Sequence, residues 1–233
     1  MTKLVSSTEL ASKASKPYPG DSREYRKART DLLKEEIDLR RQLWRVAELR
    51  RALPPGGEVS EKYRFRDKNA KEHSLVDLFG RHDTLISYFW MYGPDRERPC
   101  PMCTALLDAM DAANRNLAQR ASFVVVGRSP VSRQLAFAVE RGWRFLEFYQ
   151  CVGDYFPTDY RGLRGGEEWP MLDVWTRQGE GTRHFWGSSE MDGTADPHQD
   201  ARNVPDPEAL WTMLDLTPGG RGTDWYPKLD YAD

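Results

Sequence analysis

The chain has 233 residues, of which 39% are hydrophobic and 30% are charged, with a formal net charge of −2. This composition suits one globular domain with additions, and the near-zero charge predicts no binding to nucleic acid or to an anionic membrane. No apolar run is long enough to cross a membrane and no signal-peptide pattern is present, so we expect a cytoplasmic protein. Three cysteines are an odd number, which argues against a disulfide framework.

The first part of the chain predicts a tail followed by a helix. Residues 1–20 are rich in Ser, Lys and Pro and predict a flexible tail. Residues 21–57 predict a helical arm, in which Leu32, Leu39 and Leu43 recur at helical spacing before a Pro-Pro-Gly-Gly stretch. The arm suits either packing on its own domain or a homodimer through this helix, and the pattern leaves both open.

Strands and helices alternate through residues 58–217, which we predict to be one domain, followed by a C-terminal tail over residues 218–233. Strands are predicted at Tyr63–Phe65, at 84–90, 121–127 and 143–151, and as a hairpin over 170–187. Helical segments are predicted at 74–80, after Cys100, from Pro130 with Ser129 as its cap to Gly142, and over 206–216. This order predicts the α/β class, with a central mixed sheet flanked by helices.

Two cysteines, Cys100 and Cys103, stand three positions apart in the stretch CPMC, where a helical pattern begins. Pro101 has no amide hydrogen and is tolerated at the first helical position, which places Cys100 at the cap and Cys103 one turn inside. Free amides and the helix dipole stabilise a thiolate at the cap, so we predict Cys100 as the nucleophile. Cys103 is then the thiol that resolves the mixed disulfide, and this chemistry requires no cofactor.

Other interpretations of the cysteines remain open. Two buried cysteines would serve as small core residues, although the start of a helix after a loop favours an accessible sulfur. A structural zinc site needs four ligands, and the remaining candidates are scattered, so we predict no metal. Those candidates are Cys151, His73, His82, His184 and His198. Cys151 ends a predicted strand and suits either a buried core position or a third thiol near the pair.

The buried strand, the CPMC helix start and the following strand–helix–strand unit resemble the thioredoxin fold, with a motif similar to the Cys-Pro-x-Cys of glutaredoxins. More closely, the chain resembles a bacterial thioredoxin-like family catalogued as domain of unknown function 899. The matching segments are RRALP, SLVDLFG, YFWMYGP, CPMCT, VVVGRSP, RGWRF, GDYFPTDYRG and MLDLTPGGR. The resemblance implies a thioredoxin-like fold and a thiol-based activity, while fold alone does not settle function.

The resemblance also bears on substrate contacts. Thioredoxin carries a cis-proline that faces its cysteines, and Pro170 is the best positional match, so the resemblance implies that Trp169 and Pro170 contact the substrate. Peroxiredoxins place Thr or Ser three residues before the peroxidatic cysteine, where this chain has Glu97. The segment GDYFPTDYRG, residues 153–162, suits either a loop over the cysteines or an aromatic-anchored surface loop.

We therefore expect a thiol–disulfide oxidoreductase that acts on protein or small-molecule thiols and disulfides. Two alternatives remain. The first is a thiol peroxidase with an unconventional site, since a thiolate of low pKa also reacts with peroxide. The second is a non-catalytic binding module that keeps the fold.

Overall fold

A computed structural model describes residues 4–14, 16–60, 62–179, 181–194, 216 and 224–230. The chain divides into two compact units, Met1–Pro54 and Pro55–Asp233. The helix predicted over residues 206–216 lies outside the described residues, except for Leu216. The domain limits proposed from the sequence remain predictions.

Two helices make up the described part of the first unit, α1 (Ser7–Ala14) and α2 (Arg23–Arg51). The Ser22 hydroxyl caps α2 by accepting a hydrogen bond from a backbone amide of the first turn. The Ser7 hydroxyl donates to the Asp38 carboxylate at 2.7 Å, so α1 is tied to α2. The sequence predicts α2 but not α1, because one short helix gives little periodicity in a Ser- and Lys-rich segment. A homodimer through this arm remains a prediction.

Nine strands and five helical segments make up the described part of the second unit. The strands are β1 (Phe65–Arg66), β2 (Glu72–His73), β3 (Thr84–Phe89), β4 (Ser122–Gly127), β5 (Glu147–Cys151), β6 (Leu163–Arg164), β7 (Glu167–Glu168), β8 (Met171–Gln178) and β9 (Gly181–Gly187). The helices are α3 (Pro101–Leu117), α4 (Val131–Arg141) and α5 (Tyr155–Asp159), with 3-10 helices at Val76–Phe79 and Ser188–Gly193.

Seven strands form one mixed sheet in the order β2-β1-β5-β4-β3-β8-β9, while β6 and β7 pair separately. The pairs β3–β4 and β4–β5 are parallel, as expected where a helix connects the strands, and β8–β9 is the predicted antiparallel hairpin. Strand β3 lies in the interior of the sheet, between parallel β4 and antiparallel β8. The end of β3 therefore leads towards the cysteine pair from an interior strand.

Each face of the sheet carries its own hydrophobic core, since side chains alternate between faces along a strand. On β4, Phe123 and Val125 point to the face covered by α3 and α4, and Val124 and Val126 point to the other. The first core includes Trp90, Cys103, Leu107, Phe137 and Phe148. The second includes Phe65, Phe89, Cys151, Phe156 and Trp175. The predicted class is confirmed: a thioredoxin-like central mixed sheet flanked by helices, with an N-terminal helical extension.

The start of α4 differs from the prediction by one residue. Ser129 was expected to cap the helix, but Pro130 occupies the cap and Val131 is the first helical residue. The buried Ser129 hydroxyl donates instead to the carbonyl oxygen of Tyr92. The prediction was wrong because the Ser129 hydroxyl is engaged in this tertiary hydrogen bond and does not cap the helix. The predicted end is confirmed, since Gly142 adopts the left-handed conformation with φ 75°.

Candidate thiol site

The cysteine pair begins α3 directly after the loop that follows β3. Cys100 is the cap residue in extended conformation and Pro101 is the first helical residue, as the sequence predicts. The Cys100 amide donates to the Met91 carbonyl oxygen at 3.1 Å. The Thr104 amide and hydroxyl both donate to the Cys100 carbonyl oxygen, at 3.0 and 2.9 Å. These bonds fix the backbone on both sides of the Cys100 side chain.

The two thiols differ sharply in environment. Cys100 is partly exposed, whereas Cys103 is 1% exposed in the core beneath α3. A hydrogen bond from the Cys103 thiol lowers the pKa of Cys100 to about 6, with the amides of Cys103 and Met102 and the charge of Arg96 adding to it against the effect of burial. Burial raises the pKa of Cys103 far above its usual range, and the Cys100 thiolate raises it further. The pair is therefore a reachable thiolate beside a buried neutral thiol.

An arginine of α4 holds the loop that leads to Cys100. Arg133 donates to the carbonyl oxygens of Gly93 and Glu97, both at 3.1 Å, and also to that of Arg96. Its guanidinium carbon lies 4.3 Å from the centre of the Tyr92 ring, a cation–π contact. Because a guanidinium offers five donors in a rigid plane, one side chain fixes several carbonyl groups of this loop.

A buried carboxylate supports the same loop from the other side. Glu168 is 8% exposed, and its Oε2 accepts from the Gly93 amide at 2.9 Å and from Arg96 Nε at 3.2 Å. Its Oε1 lies 3.6 Å from Nη1 of Arg128. A Cβ at position 93 would lie 2.3 Å from Oε1, so a larger residue there would displace the Glu168 carboxylate. Glu168 therefore holds in place the arginine whose charge lowers the pKa of Cys100.

The residues implied as substrate contacts, Trp169 and Pro170, come directly before β8. The Trp169 ring is 43% exposed and lies 5.0 Å from the Arg164 guanidinium carbon. The peptide bond before Pro170 is trans. Met171 pairs with Phe89, so this segment lies at the same edge of the sheet as the end of β3 that leads to the cysteines. Its role in substrate contact remains a prediction.

The third cysteine lies on the other face of the sheet from Cys103. Cys151 is 4% exposed in the second core, and burial raises its pKa well above the usual range of a thiol. The segment 153–162 packs on that face through Phe156, which is 2% exposed. The sequence left two interpretations open for Cys151 and two for the segment 153–162. In the structure, Cys151 is a buried core residue, and the segment 153–162 is an aromatic-anchored loop.

Within the described ranges, no three side chains of His, Cys, Asp or Glu come together to hold a metal ion. In that same part of the chain, the helices are too short or too polar to cross a membrane.

The cysteine pair begins a helix that follows an interior strand of a mixed sheet, which is the arrangement of a thioredoxin-like fold. The family model described as "Bacterial protein of unknown function (DUF899)" matches residues 15–231. The chain therefore belongs to this family, and the resemblance seen in the sequence is confirmed. A comparison with curated proteins found no match.

Three solved structures illustrate what the chain is similar to. Peroxidoxin BcpB from Mycobacterium tuberculosis is 18% identical over 53% of this chain and 79% of that chain, with a TM-score of 0.43. The exposed lipoprotein thioredoxin of Streptococcus pneumoniae is 13% identical over 69% and 100%, with a TM-score of 0.39. A hypothetical protein from Sinorhizobium meliloti 1021, SMc02350, is 15% identical over 76% and 91%, with a TM-score of 0.41.

Proposed function

We propose that this protein is a thiol–disulfide oxidoreductase in which Cys100 is the nucleophile and Cys103 the resolving thiol. The observation that supports the proposal is the asymmetry of the pair. The partly exposed sulfur is the one whose pKa is lowered, to about 6, and the buried sulfur is the one whose pKa is raised. Two cysteines that served only as core residues would not require this difference in exposure and pKa.

The first step forms a mixed disulfide. The Cys100 thiolate attacks one sulfur of a substrate disulfide, a bond forms between Cys100 Sγ and that sulfur, and the substrate S–S bond breaks. The other substrate sulfur leaves as a thiolate and takes a proton from solvent. Arg96 lies close enough to lower the pKa of Cys100, so it also lowers the energy of negative charge shared among the three sulfurs.

The second step uses Cys103. The Cys100 thiolate is one of the causes that raise the pKa of Cys103, and this cause disappears when Cys100 enters a neutral mixed disulfide. A hydrogen bond with the Tyr88 side chain favours the Cys103 thiolate. Cys103 then loses its proton and attacks Cys100 Sγ, releasing the second substrate thiolate. The substrate gains two electrons, the protein gains an intramolecular disulfide, and an external dithiol restores the pair.

The proposal is tested by titrating the purified protein in glutathione buffers, trapping the thiols and counting them by intact mass. We expect a two-electron transition at Cys100 and Cys103, with a potential between about −120 and −270 mV. Fast consumption of hydrogen peroxide that depends on Cys100 would instead favour the thiol peroxidase. Thiols that react only after denaturation would favour the non-catalytic binding module.

The pKa difference gives a separate prediction for alkylation. Because the pKa of Cys100 is about 6, this thiol is roughly 90% ionised at neutral pH, and its reaction with iodoacetamide should lose half its rate near pH 6 as the pH falls. Cys103 and the buried Cys151, whose pKa values are raised, should stay unmodified in the native protein at neutral pH. Peptide mapping after timed alkylation measures all three. A half-rate point near the ordinary cysteine value would contradict the assignment of Cys100.

A further inference from the structure

A pocket of about 310 Å³ lies on the opposite face of the sheet from Cys103. It is formed between the hairpin β8–β9, the end of α5 and the 3-10 helix Ser188–Gly193. Its lining includes Asp173, His184, Tyr160, Arg161 and Glu190. Asp173 shares its face of β8 with Met171 and Trp175 of the second core, so the pocket is separate from the thiol site.

The inner wall carries a buried carboxylate and an imidazole. Asp173 is 3% exposed, and its Oδ1 lies 2.7 Å from Nε2 of His184. Its Oδ2 is also buried and has no hydrogen-bond partner among the described residues. A buried carboxyl group with one unsatisfied oxygen is costly in a core, where an apolar residue of similar size would pack without that cost. A ligand that donates a hydrogen bond to Oδ2 of Asp173 would satisfy this oxygen.

The surroundings hold this pair in one arrangement. The His184 ring is packed by Trp175 and Tyr160, with ring centres 4.8 and 5.5 Å away. Gly187 pairs with Asp173 across the hairpin, and a Cβ there would lie 2.5 Å from Asp173 Oδ1 and 3.2 Å from the imidazole. Gly187 therefore leaves room for the Asp173 carboxylate and the His184 imidazole.

The chemistry of the wall indicates the kind of ligand. If Nε2 of His184 donates to Asp173, the other ring nitrogen is an acceptor, so both groups present acceptors to a ligand. The Tyr160 ring, which packs on His184, also lines this wall. Glu190 adds a carboxylate at the exposed rim, whereas the Asp159 carboxylate is already paired with Lys62 at 2.8 Å and Arg161 contributes a guanidinium. We infer that this pocket binds a small molecule through a primary ammonium group, with Asp173 as its main acceptor.

Isothermal titration of the full-length protein with cadaverine, a five-carbon diamine, tests the inference, with glutarate as the five-carbon dicarboxylate control. We expect saturable binding of cadaverine and none of glutarate. Asp173→Asn keeps the shape of the side chain and removes its charge, so it should weaken cadaverine binding at least about tenfold. Asp83→Asn is the matched control, since that carboxylate is 90% exposed outside the pocket, and should leave binding unchanged.

A second variant covers the case in which Asp173→Asn does not fold. Glu190→Gln changes an exposed residue at the rim and should weaken cadaverine binding by about two- to fivefold. Cys100→Ser should bind cadaverine as the unmodified protein does, which separates this inference from the proposed thiol chemistry. The inference is overturned if cadaverine gives no saturable binding, if glutarate binds equally well, or if folded Asp173→Asn binds cadaverine with unchanged affinity.

Discussion

Replacing Cys100 with serine is expected to lower the rate of disulfide exchange by more than about 10³-fold, the scale seen when a catalytic nucleophile is removed. The reason is that a serine hydroxyl stays protonated at neutral pH, whereas the pKa of Cys100 is about 6. The measurement is reduction of a fluorescent disulfide peptide by the protein in the presence of a thiol reductant. Cys151→Ser is the matched control and should keep its activity, because that thiol is buried in the second core.

Cys103→Ser should act differently from Cys100→Ser. The nucleophile remains, so the variant should still attack the substrate but should accumulate a mixed disulfide at Cys100, since no resolving thiol follows. Intact mass under non-reducing conditions should show one added substrate moiety, which dithiothreitol removes. Full activity in Cys100→Ser, or a stable mixed disulfide on Cys103 in Cys100→Ser with none on Cys100 in Cys103→Ser, would remove or reverse the roles assigned to the two thiols.

Much of this site could be predicted from the sequence because its signals are local. Pro101 after Cys100 marks the start of a helix, and the apolar run before it marks a buried strand, so both features need only a few neighbouring residues. The hairpin β8–β9 follows in the same way from two strand-like runs on either side of the turn sequence QGEG. These local patterns place the nucleophile at the start of the helix that follows an interior strand of the sheet.

Glu168 and Arg133, which hold the loop before Cys100, could not be predicted from the sequence because their hydrogen-bond partners are distant in the chain. Glu168 reaches the Gly93 amide across 75 positions, and Arg133 reaches the Arg96 carbonyl oxygen across 37. In the sequence these are an ordinary acidic residue and an ordinary helical arginine. The glycine at position 93 is the one residue in the sequence that reflects this contact, because it leaves room for the Glu168 carboxylate. The Gly-Pro pair does not reveal that role, since it is equally typical of a simple turn.

Glu168→Ala is expected to reduce both stability and exchange activity. It removes the acceptor of the buried Gly93 amide and the partner of Arg96, so we expect a loss of about 1–3 kcal/mol in the free energy of unfolding, measured in urea. The loop before Cys100 then loses one of its two anchors. We expect an activity about tenfold lower, because Cys100 is less firmly placed for in-line attack.

The pH dependence of Cys100 alkylation shows whether Glu168 positions Arg96 beside the thiolate or only supports the fold. In Glu168→Ala, Arg96 is released from its anchor and its charge acts less on the thiolate, so the pKa of Cys100 should rise and the half-rate point should move to higher pH. In Glu168→Gln, the amide oxygen can still accept from Gly93 while the opposing negative charge is gone. The pKa of Cys100 should then stay the same or fall further.

Glu167→Ala is the matched control for this pair of variants, because the neighbouring carboxylate is exposed and lies outside the contacts of the loop. It should change neither the stability nor the half-rate point. If Glu168→Ala is destabilised but alkylates Cys100 with the same pH profile as the unmodified protein, Glu168 supports the fold without acting on the thiol. A half-rate point that rises in Glu168→Ala but not in Glu168→Gln requires that the acceptor at position 168 sets the position of Arg96, and through it the thiolate that carries out the exchange.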